Sequence, residues 1–279
     1  MRKPAGAPAA RPGGGGGTPR RARTRRRGSA AGPLTGVATI VVVLVVWEIS
    51  SRTGAVDPAF ASRPTKVAPA VWDYVTSSQF ATDGKHSGTA FLFGLLLSVA
   101  VGVVLGILMG WFRWVHRALD YSVSLAYAAP RIALVPILVL WFGIGTQTEV
   151  YVIFLMSVFP VLINTISGIR TVAPELIELA RAFNARPWQL LWTVLLPSSL
   201  PSILAGVRIA IGTSLIGMVV AEFLASTSGV GYMINSAASN FQPDQVFAGV
   251  VIVTVVGLLL SELLKWVESR AERWRPANH

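Results

Sequence analysis

Few residues of this 279-residue chain are placed to do covalent chemistry. It has no cysteine, which removes thiol catalysis, disulfides and cysteine metal sites. His86, His116 and His279 are scattered, and none has a partner at metal-ligand spacing. Two of them are expected to meet lipid headgroups or water. No Ser/His pair, paired carboxylate or metal-ligand set falls within the apolar runs, which argues against an intramembrane enzyme. A Gly-x-x-x-x-Gly-Lys-[Ser/Thr] sequence is missing, so the chain does not hold ATP by a phosphate loop. By itself it is expected to bind no cofactor.

What remains is a pair of intramembrane charges and one polar segment. Glu222 closes a long apolar run, and Arg131 sits between Pro130 and Pro136. Charges inside a membrane are costly and are functional candidates by default. Glu222 also has a structural reading, a hydrogen bond to backbone within 225–240 or a pair with Arg131. Arg131 suits a pore if the solute is an anion, and can equally pair with Glu149 or Glu222. The polar segment runs from Glu178 to Pro197 between two membrane-length apolar runs. Such a segment on one side of a membrane protein offers a docking surface.

The elements that position these residues follow from composition. The chain is 53% hydrophobic and 13% charged, against roughly 25% charged in a soluble domain. A helix needs about 20 apolar residues to cross the bilayer. The expected class is all-α, a polytopic membrane bundle of about six transmembrane helices with a cytoplasmic coupling helix. Expected spans are 34–51, 87–111, 121–144, 150–169, 201–224 and 245–264, within a transmembrane domain of 34–275. Residues 170–200 form the cytoplasmic loop. Val67, Val71, Trp72 and Val75 recur at helical spacing, so a short interfacial helix is expected there. The third span is broken by Pro130, Arg131 and Pro136, because proline frees carbonyls that neighbours must satisfy. Ser98, Gly102, Gly106 and Gly110 form a small-xxx-small row, read as helix packing inside one subunit rather than as a pore contact.

The net charge of +11 does not indicate a nucleic-acid partner. Nine of the 24 basic residues lie in the first 33 positions, a Gly-, Pro- and Arg-rich stretch expected to be disordered. Basic residues beside a span hold that side in the cytoplasm and lean on membrane lipid. With the N-terminus inside, 19 Lys and Arg fall on inner segments and four on outer ones, with Arg131 in neither set. The expected location is the cell membrane, multi-pass, both termini cytoplasmic.

Within the polar segment, Pro174 and Glu175 open a helix. Leu176, Leu179, Ala180 and Phe183 give it an apolar face. Asn184 marks a turn, since Asn tolerates positive φ better than any residue but Gly. Pro187 starts a second helix, with Trp188, Leu191, Trp192 and Leu195 facing the membrane or a partner. Pro197 is read as a stop, and it brackets the chain's re-entry with Pro201.

This pattern resembles the glutamate-alanine-alanine loop of ATP-binding-cassette (ABC) importer permeases. Glu178-Leu179-Ala180, then Asn184, then Val194, then Leu196-Pro197 meet its spacing in full. Leu179 replaces an alanine and Asn184 replaces the glycine. Pro130–Pro136, Leu140–Gly145, Ala221–Phe223 and Gly229–Tyr232 look like the nitrate, sulfonate and taurine branch. The resemblance covers roughly residues 34–275. It implies a homodimeric permease subunit of an importer, a separate cytoplasmic ATP-binding subunit carrying ATP and Mg, and an extracytoplasmic solute-binding protein. The alternative is an ion-coupled secondary transporter acting alone. Against it, no inverted repeat of matched broken spans is apparent.

Overall fold

The computed structural model describes residues 31–54 and 62–271. The basic segment expected at 1–33 lies almost wholly outside them, and its last three positions open the first helix. Two compact units are distinguished, residues 1–43 and 44–279. In the first, the described residues 31–43 are helical. The contacts below all lie within the second.

Every regular element among the described residues is helical. In chain order they are α1 (Ala31–Arg52), α2 (Pro64–Val75), α3 (Ser78–Trp111), α4 (Arg113–Ala128), α5 (Val135–Phe142), α6 (Thr146–Arg170), α7 (Pro174–Ala182), α8 (Pro187–Leu190), α9 (Leu196–Ala225), α10 (Val230–Ser239) and α11 (Pro243–Ala271). Four helices are long and apolar enough to cross a membrane: α3, α6, the α8–α9 rod and α11. The broken pair α4 and α5 makes five if counted as one span. That pair falls where the interrupted third span is expected. A 3₁₀ turn at Arg131–Leu134 follows Pro130, and the two arms bend by 87°.

α6 lies at the centre, packed between α3 and α9, and is the most buried of the spans. The α3–α6 contact explains the small-residue row. A Cβ on Gly102 would sit 2.8 Å from Val161 Cβ, and one on Gly106 would sit 2.5 Å from Thr165 Cβ. Only hydrogen at these positions lets the two backbones approach this closely. Ser98 takes the next step of the row, its hydroxyl donating to Phe154 O across the interface at 3.3 Å. The row therefore packs within one subunit. On the other side of α6, Ser157 and Ser214 join it to α9 through their hydroxyls at 2.6 Å.

Three expectations need correction. The second span was placed at 87–111, but α3 begins at Ser78 under an Ser77 cap whose hydroxyl accepts from Phe80 N. Lys85 and His86 therefore lie on a helix. Residues 225–244, left between the expected spans 201–224 and 245–264 without an element of their own, contain the ten-residue helix α10. Pro197 is not a stop, because residues 187–225 form one 39-residue helix that runs through Pro197 and Pro201. A π turn at Leu191–Leu195 directly precedes Pro197 and leads without a break into α9. Such a local adjustment lets a membrane helix carry a residue that lacks an N–H.

Close approach at Gly106 gives a direct test. Gly106→Ala is expected to overpack α3 against Thr165 at a cost of about 1–3 kcal/mol, lowering the thermal midpoint followed by tryptophan fluorescence in detergent. Gly88→Ala, with nothing within 4 Å of the added carbon, should leave the midpoint unchanged or slightly higher.

Candidate functional site

The segment between α6 and α9 forms one end of the bundle. α7 starts at Pro174 with Glu175 in its first turn. Ile177 packs against the buried cluster of Ile169, Val172, Leu191 and Leu195. Its opposite face carries Leu176, Leu179 and Phe183, exposed by 44%, 56% and 79%. An apolar stripe this exposed, on a nine-residue helix and its C-cap Phe183, is of the kind that marks an interaction surface. Glu178 is exposed beside it, and among the described residues no cation lies within ion-pair distance of its carboxylate.

The turn takes the form the sequence suggests. Asn184 has φ +57°. Ala185 N–H donates to Ala180 O at 3.0 Å and Asn184 N–H donates to Arg181 O at 2.8 Å. These two bonds define a Schellman closure with Asn at the left-handed position. Arg186 N–H then donates to Gln189 Oε1 at 2.8 Å, starting α8. The apolar residues beyond divide between two surfaces. Leu191 and Leu195 are buried in the cluster with Ile169, while Trp188 and Trp192 are exposed and pack edge to face at 5.5 Å. Val194 and Leu196 are half-buried against that cluster, and Pro197 is exposed.

Arg131 sits at the bend between α4 and α5. It pairs with neither Glu149 nor Glu222. Its guanidinium lies over the rings of Tyr127 and Phe159, 5.3 and 5.6 Å from their centroids. It donates to Met156 O at 3.4 Å. Met156 is four residues before Pro160, which lies inside α6. A proline cannot donate to the carbonyl four residues back, so Arg131 supplies the donor that Pro160 lacks. Among the described residues no carboxylate is within 4 Å of this cation.

Glu222 belongs to a buried polar network at the opposite end of the bundle. Its side chain is fully buried. Gly231 N–H donates to Glu222 Oε2 at 2.6 Å. Gly229 N–H donates to Asp83 Oδ1 at 2.9 Å, and Val230 N–H donates to Ser87 Oγ at 3.0 Å. Three successive N–H groups at the start of α10 thus each find an oxygen from α3 or α9. A helix N-terminus leaves such donors unpaired and favours negative charge, so two carboxylates are well placed there. Gly229 has φ +112°, and a Cβ on it would lie 2.6 Å from the Glu222 carboxyl carbon. Tyr74 of α2 donates its hydroxyl to Asp83 Oδ2 at 2.8 Å. Burial, and then this bond, push the Tyr74 hydroxyl above the usual phenol range, which keeps it a donor.

His86 is part of the same end. Its Nε2 lies 2.9 Å from Glu149 Oε1 and 3.1 Å from Ser226 Oγ. It meets buried protein groups rather than headgroups, contrary to expectation. Starting the second span at 87 left Asp83 and His86 outside it and hid this network. Asp83, His86 and Ser87 fall at i, i+3 and i+4, a spacing that puts them on one face of a helix. That spacing was the available signal, as was the Gly-Val-Gly at 229–231. Among the described residues no group of acids and histidines is arranged to hold a metal ion.

A family model described as binding-protein-dependent transport system inner membrane component matches residues 102–273. The chain belongs to this permease family. The putative aliphatic sulfonates transport permease protein SsuC of Bacillus subtilis is 33% identical over 244 residues, covering 88% of each chain. The taurine transport system permease protein TauC of Escherichia coli is 32% identical over 243 residues, 85% of this chain and 88% of the relative. The formylaminopyrimidine transport permease protein ThiX of Halalkalibacterium halodurans is 33% identical over 235 residues, 84% of this chain and 93% of the relative. A chain from inward-facing forms of the MetNI methionine ABC transporter overlays with a TM-score of 0.56 at 16% identity, covering 68% of this permease and 96% of that chain. The overlay shows a shared fold. As an ABC permease this is a transport component rather than an enzyme, and family membership implies an ATPase partner and a binding protein.

The α10 clamp is testable. Glu222→Ala is expected to leave Gly231 N–H without its acceptor, at about 1–3 kcal/mol, and to speed hydrogen exchange at 229–231. Glu222→Gln, which keeps an acceptor oxygen, should exchange much as the parent does. Parent-like exchange in Glu222→Ala would remove the clamp.

Proposed function

We propose that this chain is the membrane-spanning subunit of an ATP-driven importer for a small sulfonate- or taurine-type solute, with the 170–200 loop as its coupling element. The observation that carries the reading is the pairing of an exposed apolar stripe on α7 with an unpartnered Glu178 next to an Asn-closed turn. A closed, short, rigid hairpin with an open apolar face suits insertion into a cleft on a cytoplasmic ATP-binding subunit. Glu178, Leu179 and Ala180 would meet that subunit. Asn184 would set the turn, and Val194, Leu196 and Pro197 would join the hairpin to α9.

The solute class rests on SsuC and TauC, two relatives named for sulfonates and taurine. ThiX, named for a formylaminopyrimidine, is equally similar, so solute choice within the branch belongs mainly to the delivery protein. Arg131 is the proposed pore cation for an anionic solute, because its charge has no carboxylate partner. Glu222 is assigned to the outer end of the path, where it holds α10.

In this reading two copies of the chain enclose the path, as the resemblance implies. The charge asymmetry puts the α7 end and both termini in the cytoplasm and the α10 end outside. The first span is taken as α1, which brings the count to six. ATP binding by the partner draws the two hairpins together and turns the path outward, where the solute-binding protein delivers its load. The chain itself contributes no site for ATP or Mg.

Two substitutions test the coupling element in vesicles holding permease and ATPase. Glu178→Ala is expected to keep insertion and to lower solute uptake per ATP hydrolysed at least several-fold. Full uptake at normal expression would exclude a coupling role. Asn184→Gly should be tolerated, whereas Asn184→Val places a β-branched residue at positive φ, at about 1–2 kcal/mol, and should weaken ATPase capture. Undiminished capture by Asn184→Val would overturn the turn argument.

A further inference from the structure

A cavity of about 530 Å³ opens at the α7 end of the bundle, on the corner between α3 and α4. Gly110, Arg113, His116, Arg117 and Arg170 line it. Three guanidinium groups face one space, and no acid lines it. Among the described residues neither Arg113 nor Arg117 makes an ion pair or a side-chain hydrogen bond. Asp120, one turn further along α4 and 60% exposed, lies 3.6 Å from His116 Nε2.

Arg170 is held in place rather than free. It donates to Met109 O at 3.3 Å and meets His116 Nε2 at 3.1 Å. With His116 Nε2 accepting from Arg170, the ring proton resides on Nδ1, which is buried without a partner. Phe112 precedes α4 without a side-chain cap, so the first N–H groups of this 16-residue helix add to the positive field. Like charges gathered in this way repel one another unless a counter-ion enters.

The cavity sits at the level of exposed aromatic residues. Trp114, in the first turn of α4, is 70% exposed, and Phe112, Trp188 and Trp192 are exposed at the same end. Aromatic side chains of this kind mark the headgroup layer of a membrane.

We propose that the Arg113–Arg117–Arg170 cavity binds a phosphate group, either the headgroup of an anionic phospholipid or free phosphate reaching the same surface. Arg113 and Arg117 supply forked donors to the phosphate oxygens, and Arg170 is the fixed wall of the site. The site is separate from the coupling hairpin and from the buried network at α10, and it does not depend on which solute is carried.

The test uses full-length permease alone in nanodiscs of phosphatidylcholine, with the thermal midpoint as readout. One arm adds phosphatidylglycerol to the bilayer. The other keeps phosphatidylcholine and adds millimolar inorganic phosphate against chloride of equal ionic strength. A rise of roughly 3 °C or more in either arm is expected for the parent chain, and the arm that shows it identifies the source. Arg113→Gln/Arg117→Gln, which leaves the Arg170 bonds intact, should lose that rise while keeping its midpoint in phosphatidylcholine. Lys265→Gln/Arg270→Gln, which removes two charges from the same end outside the cavity, should retain it. No rise in the parent in both arms would overturn the proposal, as would equal loss in both double variants, which signals diffuse attraction. A full rise in Arg113→Gln/Arg117→Gln, accompanied by lost ATPase capture, would reassign the cavity to an acidic side chain of the partner.

Discussion

The architecture depends on how closely α3 can approach α6. In lipid, helices gain little from hydrophobic burial against one another, so van der Waals fit and a few hydrogen bonds must hold them. Gly102 and Gly106 bring α3 against the backbone of α6, and Ser98 adds a bond across the same seam. With α6 fixed, its far side accepts α9 through Ser157 and Ser214. Both ends of the molecule follow from that three-helix stack. The C-terminus of α6 and the N-terminus of the 187–225 rod present the hairpin, while the N-termini of α3 and α6 and the C-terminus of α9 converge on α10.

The two ends use polar groups in opposite ways. At the α10 end, Asp83, Ser87 and Glu222 are buried and turned inward on backbone donors. At the α7 end, Glu178, Arg113 and Arg117 face outward without side-chain partners among the described residues, beside an Arg170 held by Met109 O and His116. Buried polar groups must be satisfied inside the protein, and satisfied networks make a region rigid. Unpaired charges at the surface remain available to something outside. The contrast separates an α10 end knit together by internal hydrogen bonds, with Glu149 Oε2 and Glu222 Oε1 left unpaired inside it, from an α7 end whose charges stand open at the surface. Arg131 lies between these extremes, tied to a carbonyl freed by Pro160 but holding an uncompensated charge.

Much of this was legible in the residues, for identifiable reasons. Length and hydropathy reveal spans because lipid enforces long apolar helices. The turn at Asn184 was readable because few residues tolerate φ near +57°. The break after Pro130 was readable because proline removes a donor. The continuation through Pro197 was not, since a π turn is a cooperative adjustment with no residue signature of its own. The α10 helix was hidden by its Ser- and Asn-rich composition, which local propensity assigns to loops. Two of the three oxygens that cap it, on Asp83 and Ser87, come from more than 140 positions away in the chain. His86 was misplaced for a related reason: its partner Glu149 is 63 positions distant, a proximity only the fold creates.

The unbroken passage from Pro187 to Ala225 joins the two ends mechanically. Its soft points, the π turn and Pro201, both lie in its first half. Beyond Pro201 the helix runs for about 32 Å at 1.5 Å per residue before reaching the Glu222 carboxylate that grips α10. A displacement applied at Trp188 would reach the α10 end as a tilt of one stiff strut, so under the proposed coupling role the hairpin and the α10 cap would shift together.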